Sequence, residues 1–124
     1  MQGQHLTADL SRCQCDPVWL THATGLLERC VLAVTDAGLQ PVNQLAHTFP
    51  ATPHGPGGVT ATVLLAESHL CVHTWPEQKA VTLDVYVCNF GGDHSAQAHR
   101  VMDTLLALFA PQQTTRQDWQ RGGV

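Results

Sequence analysis

GVTATVLLAESHLCVHTWPEQKAVTLDVYVC, residues Gly58 to Cys88, is the stretch whose reading decides the fold. Apolar and polar side chains alternate from Gly58 to Ala66 and again from Ala80 to Cys88, and His69 to Thr74 between them is rich in β-formers. Three strands therefore follow one another. Their links fall well short of the dozen or more residues that a parallel crossover needs, so the run is expected to be an antiparallel meander.

Working outward, Gln4 to Leu10 alternates around Leu6, Ala8 and Leu10 and reads as a strand. Cys13 to Asp16 turns the chain into Pro17, a favoured first helical residue, with Asp16 as the expected N-cap. Apolar residues then recur every three or four positions through Trp19, Leu26, Leu27, Cys30, Val31 and Val34, and Gly38 supplies a stop. This predicts one amphipathic helix over residues 17–37. Gln40 to Thr48 is expected as a strand, and Pro50 to Gly57 as a loop by its Pro and Gly content. Ser95 to Phe109 places Ala98, Val101, Met102, Leu105, Leu106 and Phe109 on one helical face and stops before Pro111. The tail from Gln112 is polar and expected to fray. Two helices, each with one apolar face to cover, predict an α/β (α+β) two-layer sandwich: an antiparallel sheet with both helices on one face.

At 124 residues the chain fits a single domain, 1–124, large enough for a real core. Charged residues make up 13 %, about half the ~25 % usual for soluble domains, which suggests that a second subunit covers part of the surface. Six Lys and Arg against ten Asp and Glu leave no basic stripe to follow a phosphate backbone, so nucleic acid is not an expected partner. The mild net charge of −4 suits a cationic ligand. Five cysteines leave one over in any full disulfide scheme, and no signal peptide is recognisable, which points to the reducing cytoplasm. No apolar run approaches the ~18–20 residues that span a bilayer, so no membrane role is expected.

The chemistry is expected between Glu67 and Glu77, where ESHLCVHTWPE gathers two carboxylates, a hydroxyl and two imidazoles in eleven residues. Placed where two strands meet, these side chains are expected to converge on one site. ESHLCVHTWPE, preceded by Gly58-Val59-Thr60 and followed by Asp84-Val85-Tyr86-Val87-Cys88, resembles the small prokaryotic type of S-adenosylmethionine decarboxylase proenzyme, collinearly from about His5 to Phe109.

That resemblance implies a pyruvoyl-dependent enzyme that makes its own cofactor. The chain would cut itself between Glu67 and Ser68 into a β chain, 1–67, and an α chain, 68–124, with Ser68 becoming the pyruvoyl group that forms a Schiff base with substrate. By the same resemblance His73 is the processing base, Cys88 the catalytic proton donor, and Thr60 stands where the family usually has a serine that assists processing. Glu77 would hold the substrate ribose, and Phe49 would stack on adenine. The implied reaction converts S-adenosylmethionine to its decarboxylated form and carbon dioxide for spermidine biosynthesis. The implied assembly is a homodimer, a four-layer αββα sandwich sharing its active sites, with association beyond the dimer left open. The 50–57 loop is longer than its counterpart in most of the family.

Read without the resemblance, Ser68 is a serine in a strand turn, Cys88 a core residue and Glu77 a turn cap. No metal is expected. As strand residues, His69 and His73 would lie about 13 Å apart, too far to share an ion. Cys13-Gln14-Cys15 lacks a second close pair, and His94 and His99 read as solvated. Two rival functions remain: a pyruvoyl-dependent arginine or ornithine decarboxylase on the same fold, and an uncleaved regulatory homologue.

Overall fold

The computed structural model describes residues 1–123. Its strands are β1 (Gln2–Cys13), β2 (Pro41–Thr48), β3 (Val59–Leu65), β4 (Ser68–Trp75), β5 (Ala80–Cys88) and β6 (Pro111–Gly122); its helices are α1 (Val18–Thr21), α2 (Ala23–Asp36) and α3 (Ser95–Phe109). They form one six-stranded sheet in the order β2-β3-β4-β5-β1-β6, with every neighbouring pair antiparallel. The expected meander is β3-β4-β5, and β1 joins its far edge.

Alternation divides the sheet into two faces. Leu6, Ala8 and Leu10 of β1, Leu70 and Val72 of β4, and Val81, Leu83 and Val85 of β5 are buried on one face. Leu26, Cys30 and Val34 of α2 and Val101, Met102, Leu105 and Phe109 of α3 complete the same core. The opposite face carries His5, Thr60, Thr62, His69, Cys71, His73, Thr82, Asp84 and Tyr86, all half-buried.

Two expectations are corrected. The single helix over 17–37 breaks at His22, which is extended (φ −102°, ψ 99°) and caps α2 by accepting the Gly25 N–H at its Nδ1, 2.9 Å away. In an unbroken helix the Leu20 carbonyl would accept an N–H four residues on. Here it accepts the Thr74 hydroxyl of β4 at 2.7 Å, so a buried tertiary bond satisfies the end of α1. The Asp16 carboxylate accepts the Val18 N–H at 3.0 Å, the service expected of a cap, one residue ahead of the helix itself.

The polar tail does not fray. Residues 111–122 pair with β1 along almost its whole length, from Pro111 against Cys13 to Gly122 against Gln2. Arg116 reaches Asp103 of α3 at 3.0 Å, and Gln4 bonds Asp118. A strand exposed on both faces needs no apolar alternation, because main-chain pairing to a long neighbour holds it.

Candidate active site

The turn between β3 and β4 is two residues long: Leu65 pairs with Ser68, leaving Ala66 and Glu67 at the tip. Glu67 adopts φ +55°, the left-handed region that favours glycine. A side chain there costs about 1–2 kcal/mol, and it sits on the residue just before Ser68. The Ser68 hydroxyl accepts the backbone N–H of Cys88 at 2.9 Å. Cys88 ends β5 and is buried. A cleft of about 410 Å³ opens beside them, lined by Glu67, Ser68, Cys88, Phe90, His94 and Gln97.

A second cleft of about 440 Å³ lies at the other end of β3 and β4, lined by Phe49, Thr60, His73, Trp75 and Glu77 together with the 50–58 loop. Thr60 and His73 face each other across the two strands, and Thr60 Oγ1 is 2.9 Å from His73 Nδ1. The Phe49 ring stands edge-on to His47, with centroids 4.8 Å apart. Glu77 lies in the 3-10 turn Pro76–Gln78 that follows β4. The loop packs so closely that a Cβ on Gly57 would lie 2.0 Å from the Phe49 carbonyl oxygen, and one on Gly58 2.0 Å from that of Thr74. The Thr74 hydroxyl accepts the Val59 N–H at 2.9 Å and fixes the mouth of this cleft.

The expected convergence of Glu67 to Glu77 is therefore corrected. Along an extended strand Ser68 and His73, five residues apart, are separated by about 16 Å. Within one chain the structure brings Ser68 to Cys88, and it brings His73 to Thr60, Phe49 and Glu77, but it does not join the two groups. Helical spacing would have gathered them; strand geometry lays them out.

His69, on β4 as expected, meets a partner that the sequence reading passed over. Its Nε2 lies 2.7 Å from Asp84 Oδ2, and His5 Nε2 lies 2.8 Å from the same oxygen. Burial raises the Asp84 carboxyl, but hydrogen bonds from His69 and His5 outweigh it and hold the group below its usual range. The available signal was positional, since His5, His69 and Asp84 are polar residues at outward positions of three neighbouring strands. His94, read as solvated, lines the Ser68 cleft and bonds Gln97 at 2.8 Å. His99 has a side chain 45 % exposed and stands 3.6 Å from Asp118.

The five cysteines are unpaired. Burial pushes Cys13 up to about 11, with Cys15 adding to the shift, and pushes Cys30 up to about 12. Neither is a thiolate near neutrality, which leaves them as core residues.

An antiparallel sheet backed by helices on one face, with a positive-φ residue at a hairpin tip beside an open cleft, makes this a small two-layer α/β protein. The S-adenosylmethionine decarboxylase family profile matches residues 4–122, and the chain belongs to that family. It is 38 % identical over 122 residues to the S-adenosylmethionine decarboxylase proenzyme of Aquifex aeolicus (strain VF5), covering 98 % of this chain and 82 % of the relative. The proenzyme of Persephonella marina (strain DSM 14350 / EX-H1) is 34 % identical over 122 residues, covering 98 % and 84 %. The crystal structure of the adenosylmethionine decarboxylase from Aquifex aeolicus VF5 superposes with a TM-score of 0.84 at 34 % identity, covering 98 % of this chain and 92 % of that one.

Proposed function

We propose that this chain is a self-processing decarboxylase of S-adenosylmethionine, with Ser68 the source of its pyruvoyl group. The observation that carries the reading is the strained Glu67–Ser68 junction, whose hydroxyl is already held by a backbone N–H beside an open cleft. With its oxygen accepting from Cys88, the Ser68 hydroxyl attacks the Glu67 carbonyl carbon, and the acyl group moves from nitrogen to oxygen. A base then removes the Ser68 α-proton and expels the Glu67 carboxylate. Hydrolysis of the remaining imine releases ammonia and leaves the ketone on residue 68.

The site fits such a group: it would lie at the start of β4, against Cys88, with the cleft left for substrate. Once formed, it supplies an electron sink for the departing carbon dioxide. His73 serves as the processing base, its ring oriented by Thr60, and a neutral imidazole suits the task near neutral pH. Cys88 donates the proton that replaces the lost carboxyl. Phe49 provides a face for adenine, and Glu77 accepts from the ribose hydroxyls.

The distance between the two clefts supports a dimer in which Ser68 and Cys88 of one protomer meet Thr60, His73, Phe49 and Glu77 of its partner. The half-buried polar face opposite the helices is the surface available for that pairing. Unpaired cysteines support a reducing compartment, the cytoplasm, and no helix among the described residues is long and apolar enough to cross a membrane. Carbon dioxide release from carboxyl-labelled S-adenosylmethionine, arginine and ornithine tests the substrate. Turnover of S-adenosylmethionine alone is expected, and turnover of either amino acid in its place would overturn the assignment.

A further inference from the structure

Ser68 and His69 are consecutive on β4, so their side chains leave opposite faces of the sheet, yet both are tied to β5. Ser68 Oγ takes the Cys88 N–H on one side, and His69 Nε2 meets Asp84 Oδ2 on the other. The same Asp84 oxygen is 2.8 Å from His5 Nε2, and His5 Nδ1 is 2.8 Å from Arg121 Nη1. Tyr86 lies opposite both histidines in the ladder and packs its ring against them, at 5.5 Å from His5 and 5.9 Å from His69. A small cleft beside this cluster is lined by Glu67, Ser68 and Arg121 as well.

The proton positions follow from donor chemistry. A guanidinium only donates, so His5 Nδ1 accepts from Arg121, and the His5 proton sits on Nε2 and is given to Asp84. Asp84, held as a carboxylate, accepts from His69 as well. Two imidazoles and a carboxylate also make a metal-ligand set. With a proton on His5 Nε2, however, that nitrogen has no lone pair to give an ion while the Arg121 bond stands. The cluster is a hydrogen-bonded chain across β6, β1, β5 and β4.

Resting on the self-cleavage reading above, we propose that Arg121, His5, Asp84 and His69 are positioning residues that keep the strain on the Glu67–Ser68 bond. A hairpin tip with an unfavourable φ at Glu67 can relax if the first residues of β4 shift or turn. Ser68 alone, tied through one hydroxyl, resists this on one face of the sheet. The Asp84–His69 bond resists it on the other, and His5 and Arg121 hold Asp84 in place.

The test is the time course of cleavage, followed by intact mass from first synthesis, alongside thermal unfolding. Misplacing a reacting group by an ångström costs up to about a hundredfold in rate, so Asp84→Asn and His69→Leu are expected to slow cleavage by about tenfold or more. His69→Gln, whose amide can still donate to Asp84, is expected to recover most of the rate. Arg121→Met, on an exposed edge strand, is expected to slow cleavage without loss of melting temperature. Wild-type rates in all four variants, or losses that follow melting temperature with no rescue by glutamine, would overturn the proposal while leaving Ser68 as the cleavage residue. A wild-type chain that never cleaves would overturn the self-processing reading instead. Imidazole nitrogen shifts in the non-cleaving Ser68→Ala chain give a second readout: a bare Nδ1 and protonated Nε2 on His5 are expected. A protonated Nδ1, or stoichiometric zinc binding lost in Asp84→Asn, would contradict the chain of donors.

Discussion

Cys88 bonds Ser68 through its backbone N–H and not through its thiol, so the roles proposed for the two groups can be tested apart. Cys88→Ala keeps that N–H, so cleavage is expected to proceed at close to the wild-type rate. Decarboxylation should fall by about 10²-fold or more, the usual worth of a positioned proton donor. Cleavage followed by mass and turnover followed by carbon dioxide release check the two halves separately. Loss of both together would place the thiol in processing. Glu67→Gly probes the strain itself: it relieves the positive φ, and is expected to stabilise the precursor by about 1 kcal/mol while slowing cleavage. Denaturant unfolding of the Ser68→Ala precursor, with and without the glycine, measures the first effect. Faster cleavage in the glycine variant would show that strain does not drive the reaction.

At the level of elements, the strands that carry chemistry were legible because β3, β4 and β5 announce themselves by alternation and by short links. The same alternation hid the layout of the site. ESHLCVHTWPE looks concentrated in sequence, but as a strand Ser68 to Trp75 alone spans about 23 Å at about 3.3 Å per residue. Other features were out of reach because their causes are tertiary. Thr74 ends α1 from 54 residues away, and β6 exists because β1 offers it an edge. Asp84 stood in plain view as a polar residue of β5, but only the register of β1, β4 and β5 puts it between two histidines. That register also predicts an acid response. Folding lowers the Asp84 carboxyl, so its stabilising contribution is present above the unfolded value of 3.8 and is lost as pH falls through the lower folded value. Asp84→Asn is therefore expected to lose less stability than wild type on acidification below 3.8, measured by chemical unfolding across that range. Parallel curves for the two proteins would contradict the assignment.

At the scale of the whole molecule, the two clefts at opposite ends of β4 require a second copy if Ser68 is to meet His73. Co-expression of Ser68→Ala with His73→Ala offers each mixed dimer one junction with an intact Ser68 and a partner's intact His73. Only the His73→Ala chain is expected to be cut, although neither variant cleaves when expressed alone. Absence of cleavage in the mixture would mean that His73 acts within its own chain, and cleavage of the His73→Ala chain expressed alone would mean that His73 is not the base.

All of this rests on the bond between Glu67 and Ser68. The most direct test is the intact mass of freshly purified wild-type protein. Two chains are predicted, residues 1–67 and 68–124, with the second lighter by one ammonia than a fragment beginning with serine. A single uncut chain that persists through prolonged incubation, or a cut at 67–68 that leaves serine in place, would contradict the account.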